Sequence, residues 1–245
     1  MAADSAALVG ACGGAGATRL TVELGGLLAR DGRDVVLLDA AFATQGLARH
    51  VGGRIDPDAT ALAADPDVAL DDALLSHPAT DDVPGRLRVC AAHAPFAALA
   101  EAKAPGAAER FGDSVASLAD RVDHVLVDTP PVAANQAVAA ATTAERVAVV
   151  YPPTDRGVDA LQRARGRLAD VGAALDCVVA NRADGEEPPP DADRAVPTAE
   201  AAAPAALGAD PLTPAVASLA EALLDVELEV DASAGLVDAA RRRLQ

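Results

Sequence analysis

Lysine is all but missing from this chain. Of its 20 Lys and Arg residues, only Lys103 is a lysine. Tryptophan is absent, and aromatic residues make up 2% of the 245 positions. A core must therefore be built from Ala, Val and Leu. With 51% hydrophobic residues there is enough material for one large α/β domain or two small ones. The three cysteines, Cys12, Cys90 and Cys177, are too far apart for a disulfide framework or a zinc ligand set. His50, His77, His93 and His124 show no ligand spacing either. No apolar stretch reaches the length of a membrane span. The first residues have no basic region leading into an apolar run, so no signal peptide is expected. Together these absences predict a cytoplasmic protein. Positive charge is also in deficit, with a net charge of −17. Without clustered cations, direct nucleic-acid binding is not expected. A surface this rich in Asp suits a protein adapted to high salt, and a haloarchaeal source is the expectation.

Glycine, by contrast, is concentrated in one stretch. Leu8 and Val9 end a short apolar run, Gly10, Gly13, Gly14 and Gly16 follow, and a helical pattern starts after them. Strand, glycine loop and helix is a layout that cradles phosphate, because backbone N–H groups turn inward and the helix start adds its positive dipole end. A Walker A loop has lysine and then Ser or Thr after its last glycine. Here Gly16 is followed by Ala17 and Thr18. The hydroxyl that would reach Mg²⁺ is present, and the ammonium group is not.

Along the chain, Ala6 to Val9 reads as a strand, Thr18 to Arg30 as a helix and Val35 to Leu38 as a buried parallel strand, which is a βαβ unit. Phe42, Leu47 and Val51 are expected to face inward from a short helix. Between Asp56 and Pro84, Val68 to Leu75 reads as the helix. Strands are expected at Leu87 to Cys90, Val125 to Val127, Val147 to Tyr151 and Leu175 to Ala180. Helices are expected at Phe111 to Val122, Ala133 to Ala141, Gly157 to Val171 and Pro211 to Leu224, the last capped by Thr213. Asp184 to Arg194 reads as a surface loop. The alternation predicts an α/β fold, a doubly wound, mostly parallel sheet with helices on both faces. Residues 1–228 are expected as one domain. Residues 229–245 are expected as a tail, with Gly235 to Gln245 forming a short amphipathic helix. Its Arg241-Arg242-Arg243 suits either a last helical turn or a membrane surface.

Ligands on such sheets sit at the carboxyl ends of the strands. Four motifs fall there: the glycine loop, Asp39, Asp128-Thr129-Pro130-Pro131, and Asn181-Arg182. Together they resemble the MinD/ParA family of P-loop ATPases, the deviant Walker A group. Cys12-Gly13-Gly14-Ala15-Gly16-Ala17-Thr18-Arg19 falls on that family's loop. Leu37-Leu38-Asp39-Ala40-Ala41 falls on its switch strand, Asp123 to Pro131 on its Walker B strand and turn, and Val178 to Arg182 on the strand whose end contacts adenine. Val196-Pro197 falls where a family loop passes the base. The resemblance implies a three-layer P-loop fold and ATP or ADP with Mg²⁺. It places phosphate on Gly13, Gly14, Ala15, Gly16, Ala17, Thr18 and Arg19, the base on Asn181 and Arg182, and Mg²⁺ on Thr18 and Asp128, with Asp39 and Asp128 as the catalytic carboxylates of an active member.

The departures from the family pattern are all losses of charge. Cys12 stands where a lysine reaches the partner's nucleotide, Ala17 where a second lysine reaches the β/γ-phosphates, and Ala41 where a second switch carboxylate helps place water. Phosphoryl transfer depends on such groups. The resemblance thus predicts a degenerate Walker A loop and a regulatory or scaffolding protein with little or no hydrolysis. It would act through protein partners, as a homodimer or as a heterodimer with an intact relative. Two other readings stand beside it: an active partitioning or positioning ATPase that draws on Arg19 or a partner's arginine, and a metabolic ligase of the same superfamily. Arg19 itself reads either as a partial substitute for the lost charge or as an exposed first-turn residue. Cys12 reads as a small residue tolerated in the loop or as a redox handle. Cys90 and Cys177 read as buried core thiols.

Overall fold

The computed structural model describes residues 4–185, 187–208 and 211–228. Its centre is a strand with no exposed residue, β1 (Ser5–Gly10). The sheet is completed by β2 (Asp34–Asp39), β3 (Leu75–Ser76), β4 (Arg86–Cys90), β5 (His124–Thr129), β6 (Arg146–Tyr151), β7 (Cys177–Asn181) and β8 (Arg194–Val196). The strand order is β3-β4-β2-β5-β1-β6-β7-β8. Every pairing is parallel except that of the two-residue edge strand β3 with β4. A parallel sheet needs crossovers, and the helices that supply them cover both faces.

One face carries α1 (Ala17–Arg30) and α7 (Thr213–Leu224). The other carries α2 (Ala59–Ala64), α3 (Phe96–Ala102), α4 (Pro105–Ala119), α5 (Asn135–Thr143) and α6 (Asp155–Asp170). The two-residue period of a strand divides β1 between these cores: Ala6 and Leu8 face α1 and α7, whereas Ala7 and Val9 face the other layer. The predicted α/β class and the mostly parallel, doubly covered sheet are therefore what the chain forms. Helix α1 lies close to the sheet because Gly25 has no side chain; a Cβ there would come within 2.8 Å of Leu37 and Leu87.

Several local expectations are corrected. Val68 to Leu75 is not a helix: it holds a single 3-10 turn, Leu70–Ala73, that runs into β3. The helix of this region is α2, whose N-cap Asp58 accepts from the Ala61 N–H at 2.9 Å. Helix α4 begins at Pro105, before the expected Phe111, because proline suits a first helical turn. Thr213 does not cap α7 but lies inside it, and its hydroxyl donates to the Gly208 carbonyl at 3.1 Å. The expected loop from Asp184 ends in β8, which the three apolar and charged residues Arg194–Val196 did not announce. The helix expected inside Ala40 to Ile55 is a 3-10 turn, Leu47–His50; Leu47 is buried and Val51 partly so. Cys90 and Cys177 are buried in strands, as expected. The expected tail, with its amphipathic helix and Arg241-Arg242-Arg243, lies outside the described residues. No helix among the described residues is long and apolar enough to cross a membrane.

With so few aromatics, the Phe42–Phe111 pair carries unusual weight. Both rings are fully buried, with centroids 5.7 Å apart in an edge-to-face arrangement at 87°. The pair fastens the loop after β2 to α4. Phe111→Ala should lower unfolding free energy by about 3–5 kcal/mol, read from urea denaturation, and Phe111→Leu by clearly less.

Candidate functional site

The glycine loop joins β1 to α1, and two of its residues need a left-handed backbone. Gly14 has φ 76° and Gly16 φ 95°. Gly16 is the N-cap of α1 and provides no side-chain cap, and the first turn contains no acid. The leading N–H groups of α1 are thus left to the cleft, an arrangement that suits an anion. The end of β7 props the loop from below. Buried Asn181 donates from Nδ2 to the Ala15 carbonyl at 2.8 Å, and Arg182 donates from Nη1 to the Gly14 carbonyl at 3.0 Å. A Cβ at Gly16 would collide with the Asn181 amide. The sequence expectation that Asn181 meets a base has to be set against this: its amide nitrogen is used within the protein, to shape the loop. Arg182 holds a left-handed φ of 63°, a conformation costly for a residue with a side chain.

The two strand-end carboxyls are in register, Asp39 of β2 opposite Asp128 of β5. Asp39 is fully buried and its role is largely internal. It accepts from the Ala41 N–H at 2.8 Å and the Ala92 N–H at 3.3 Å, and the Leu47 N–H also bonds to it. It thereby folds the loop 41–47 back under itself. Burial, and secondly the neighbouring Asp128, push its pKa up to about 8. Asp128 is raised as well, to about 6, by burial, while a hydrogen bond with the Thr18 side chain partly offsets the rise. Its Oδ2 is buried with no hydrogen-bond partner.

These parts frame a cleft of about 330 Å³. Gly13, Gly14, Ala15, Gly16, Ala17, Thr18, Arg19, Asp128 and Arg182 of the expected site line it, whereas Asp39 lies beneath and Asn181 behind the loop. Cys12 and Ala41, where the family pattern has charge, line it too. Thr18 and the unpartnered oxygen of Asp128 fit a Mg²⁺ ion, which takes few protein ligands and completes its shell with phosphate and water oxygens. Among the described residues no group of three or more His, Cys, Asp or Glu could hold a metal without such help. Arg19 is neither a free substitute cation nor simply exposed. Its guanidinium donates to the carbonyls of Ala199 (3.1 Å) and Ala201 (2.6 Å) and to the fully buried Glu23 (3.1 Å).

Sequence reasoning missed Arg49 and His50. They sit on the 3-10 turn Leu47–His50, which reaches the cleft because Gly46 packs directly on the Thr18 side chain. Burial lowers the His50 pKa, with Arg19 and Arg49 adding to the fall. No sequence signal marks these two, since they reach the loop only through tertiary contact.

The raised carboxyls set a pH dependence for the ligand-free protein. Between the pKa of the unfolded chain, about 4, and the raised values, the native state holds protons that the unfolded chain has released. Its stability should therefore fall as pH rises through 5 to 8. Asp39→Asn should flatten that slope in urea unfolding midpoints. A midpoint that climbs over this range would show the pair to be ionised.

No protein-family model matches the chain, and no curated protein matches it. Solved structures do. A chain of the MinC:MinD cell division protein complex of Aquifex aeolicus is 20% identical, with a TM-score of 0.73 over 94% of this chain and 99% of that one. The septum site-determining protein MinD of Pyrococcus horikoshii, complexed with Mg-ADP, is 20% identical at a TM-score of 0.62, covering 79% and 81%. Cobyrinic acid a,c-diamide synthase of Mycobacterium smegmatis, with bound ADP and magnesium, is 21% identical at 0.60, covering 76% and 77%. What these likenesses establish is the architecture: the chain has the three-layer α/β fold of MinD and its structural neighbours.

Proposed function

We propose that this chain is a nucleotide-binding regulator of the MinD/ParA type that hydrolyses ATP slowly or not at all. One observation carries the reading. The uncapped start of α1 and the Thr18–Asp128 pair share a cleft, and the residues at positions 12 and 17 that would bring ammonium groups into it are Cys and Ala.

The loop N–H groups would hold the phosphates, and the loop is kept in shape by Asn181 and Arg182. Thr18 and Asp128 would hold Mg²⁺, which when bound neutralises phosphate charge. Two of the solved neighbours bind ADP with magnesium, which supports this choice of ligand. Hydrolysis asks for more than binding. A positioned charge-stabilising contact is commonly worth about 10²–10³ in rate. Here Cys12 and Ala17 offer no cation, and Ala41 offers no carboxylate to orient water. Asp39 is spent on backbone N–H groups and lies beneath the cleft. A protein that holds nucleotide without consuming it acts through what it binds next. A protein partner is the consequence: a second copy, an intact relative, or a protein such as the MinC seen with MinD in one of the neighbours.

Two measurements on the purified chain, at low and at molar salt, test this. Labelled ATP and ADP should bind in equilibrium dialysis, and steady-state phosphate release should not differ between wild type and Asp128→Ala. Turnover that Asp128→Ala abolishes would establish an active ATPase instead.

A further inference from the structure

On the face of the sheet away from α1, α4 and α5 lie side by side with a groove of about 440 Å³ between them. Ala108, Gly112 and Ala116 form its α4 wall, with Glu109 and Asp113 along the rim. Val138, Ala139 and Thr142 form the α5 wall. Each set recurs at helical spacing, so each wall is one face of its helix. The two helices nearly touch in the middle: a Cβ on Gly112 would come within 3.0 Å of the Thr143 hydroxyl. Ala116 and Thr142 are exposed, and Val138 and Ala139 are partly so. A third helix can rest over such a pair, with its side chains above the small residues. Glu109 and Asp113 are also exposed, and neither has a hydrogen-bond or ion-pair partner among the described residues. The groove therefore suits a helix with a narrow apolar face bordered by cations.

The chain's own sequence contains one. In a molecule of net charge −17, cations stand together at Arg241-Arg242-Arg243. At a helical period, Leu236, Val237, Ala240 and Leu244 share one face, and Arg241 and Arg243 border it on either side. The connection has the length and the starting point it needs. Arg194, at the start of β8, donates to the Ser218 carbonyl at 3.3 Å, and Pro197, just past the strand, shares a cavity with Pro214. Helix α7 thus runs antiparallel to β8 and finishes at the amino ends of the strands. Helices α4 and α5 finish at that same edge, just ahead of β5 and β6. Residues 229–234, if extended, reach about 20 Å, which lets them round the edge of a single sheet.

We propose that residues 235–245 form an amphipathic helix that packs into the α4–α5 groove of their own chain. Entering from the amino edge, this helix runs antiparallel to α4. With Gly235 level with Ala116, Ala240 lies over Gly112 and the arginines reach the level of Glu109, because both helices rise equally per residue. The apolar face covers the small residues of the two walls, and an arginine beside it meets the carboxylates of the α4 rim. The contact uses no residue of the cleft and needs no nucleotide.

Crosslinking of the whole chain with a short bismaleimide tests this, using Cys12→Ser, Ala139→Cys and Ala240→Cys together; Cys90 and Cys177 are buried. Positions 139 and 240 should link within one chain. Adding Glu109→Lys and Asp113→Lys should slow the linking about tenfold, because exposed attractions become repulsions. Adding Arg241→Glu and Arg243→Glu to that variant should restore the rate, with circular dichroism showing every variant folded. An unchanged rate on the first reversal, no recovery on the second, or links only between chains, which would seat a second copy in the groove, overturns the inference. So does flotation of the chain on phosphatidylglycerol vesicles with no link in their absence, which would assign the segment to a lipid surface.

Discussion

Two carboxyl groups, held side by side at the ends of adjacent parallel strands and shut off from water, constrain everything around the cleft. The register that places Asp39 opposite Asp128 comes from the central pairing of β2 with β5, and β5 in turn pairs with β1, which carries the glycine loop. Among the described residues neither carboxyl has a cation to balance it, so the fold meets their demand for hydrogen bonds in other ways. Asp39 takes three backbone N–H groups and in doing so fixes the loop after β2. Asp128 takes the Thr18 side chain and keeps one oxygen without a partner. Burying such a group is costly unless something later pairs with it. That oxygen is where the proposed Mg²⁺ would find its carboxylate ligand.

Architecture and charge give different messages about this cleft. The loop is shaped with care: Gly14 and Gly16 are left-handed, Asn181 and Arg182 hold its carbonyls from below, and α1 leaves its first N–H groups uncapped. Such a scaffold turns backbone N–H groups toward the cleft. Cys12, Ala17 and Ala41 of its lining are small and neutral, and Arg19, Arg49 and Arg182 line the cleft too. The proposed holding function asks for such a lining, because affinity draws on amides and guanidinium groups and turnover draws on a cation at the transferring phosphate.

Much of the fold was legible before any coordinates. Continuous apolar runs such as Val35 to Leu38 announced parallel strands, and the stretch from Thr18 to Arg30 announced α1. Elements without a long period were not legible. Helix α2 is an Ala-rich turn and a half whose existence depends on Asp58 capping it, and β8 is three residues that become a strand only by pairing with β7. Of the cleft lining, the glycine loop, Asp128 and Arg182 were legible because each lies at or just past the end of a strand, and Thr18 because it follows the loop's last glycine. Arg49 and His50 were not, since nothing in the sequence around Gly46 says that it will rest on Thr18. Asn181 was found, but its hydrogen bond to the Ala15 carbonyl was not foreseen.

The sequence alone determined the layout of strands and helices, the glycine-rich entry to α1, and the absence of lysine from positions 12 and 17. These are matters of periodicity and residue identity, written locally. Tertiary structure decided which polar groups remain available. It spent Asp39 on backbone N–H groups, Asn181 on a loop carbonyl and Arg19 on Glu23 and two distant carbonyls, and it left Asp128 and Arg49 with capacity to spare. Availability depends on what each group meets across the fold, and partners more than a hundred residues away cannot be read from a local pattern.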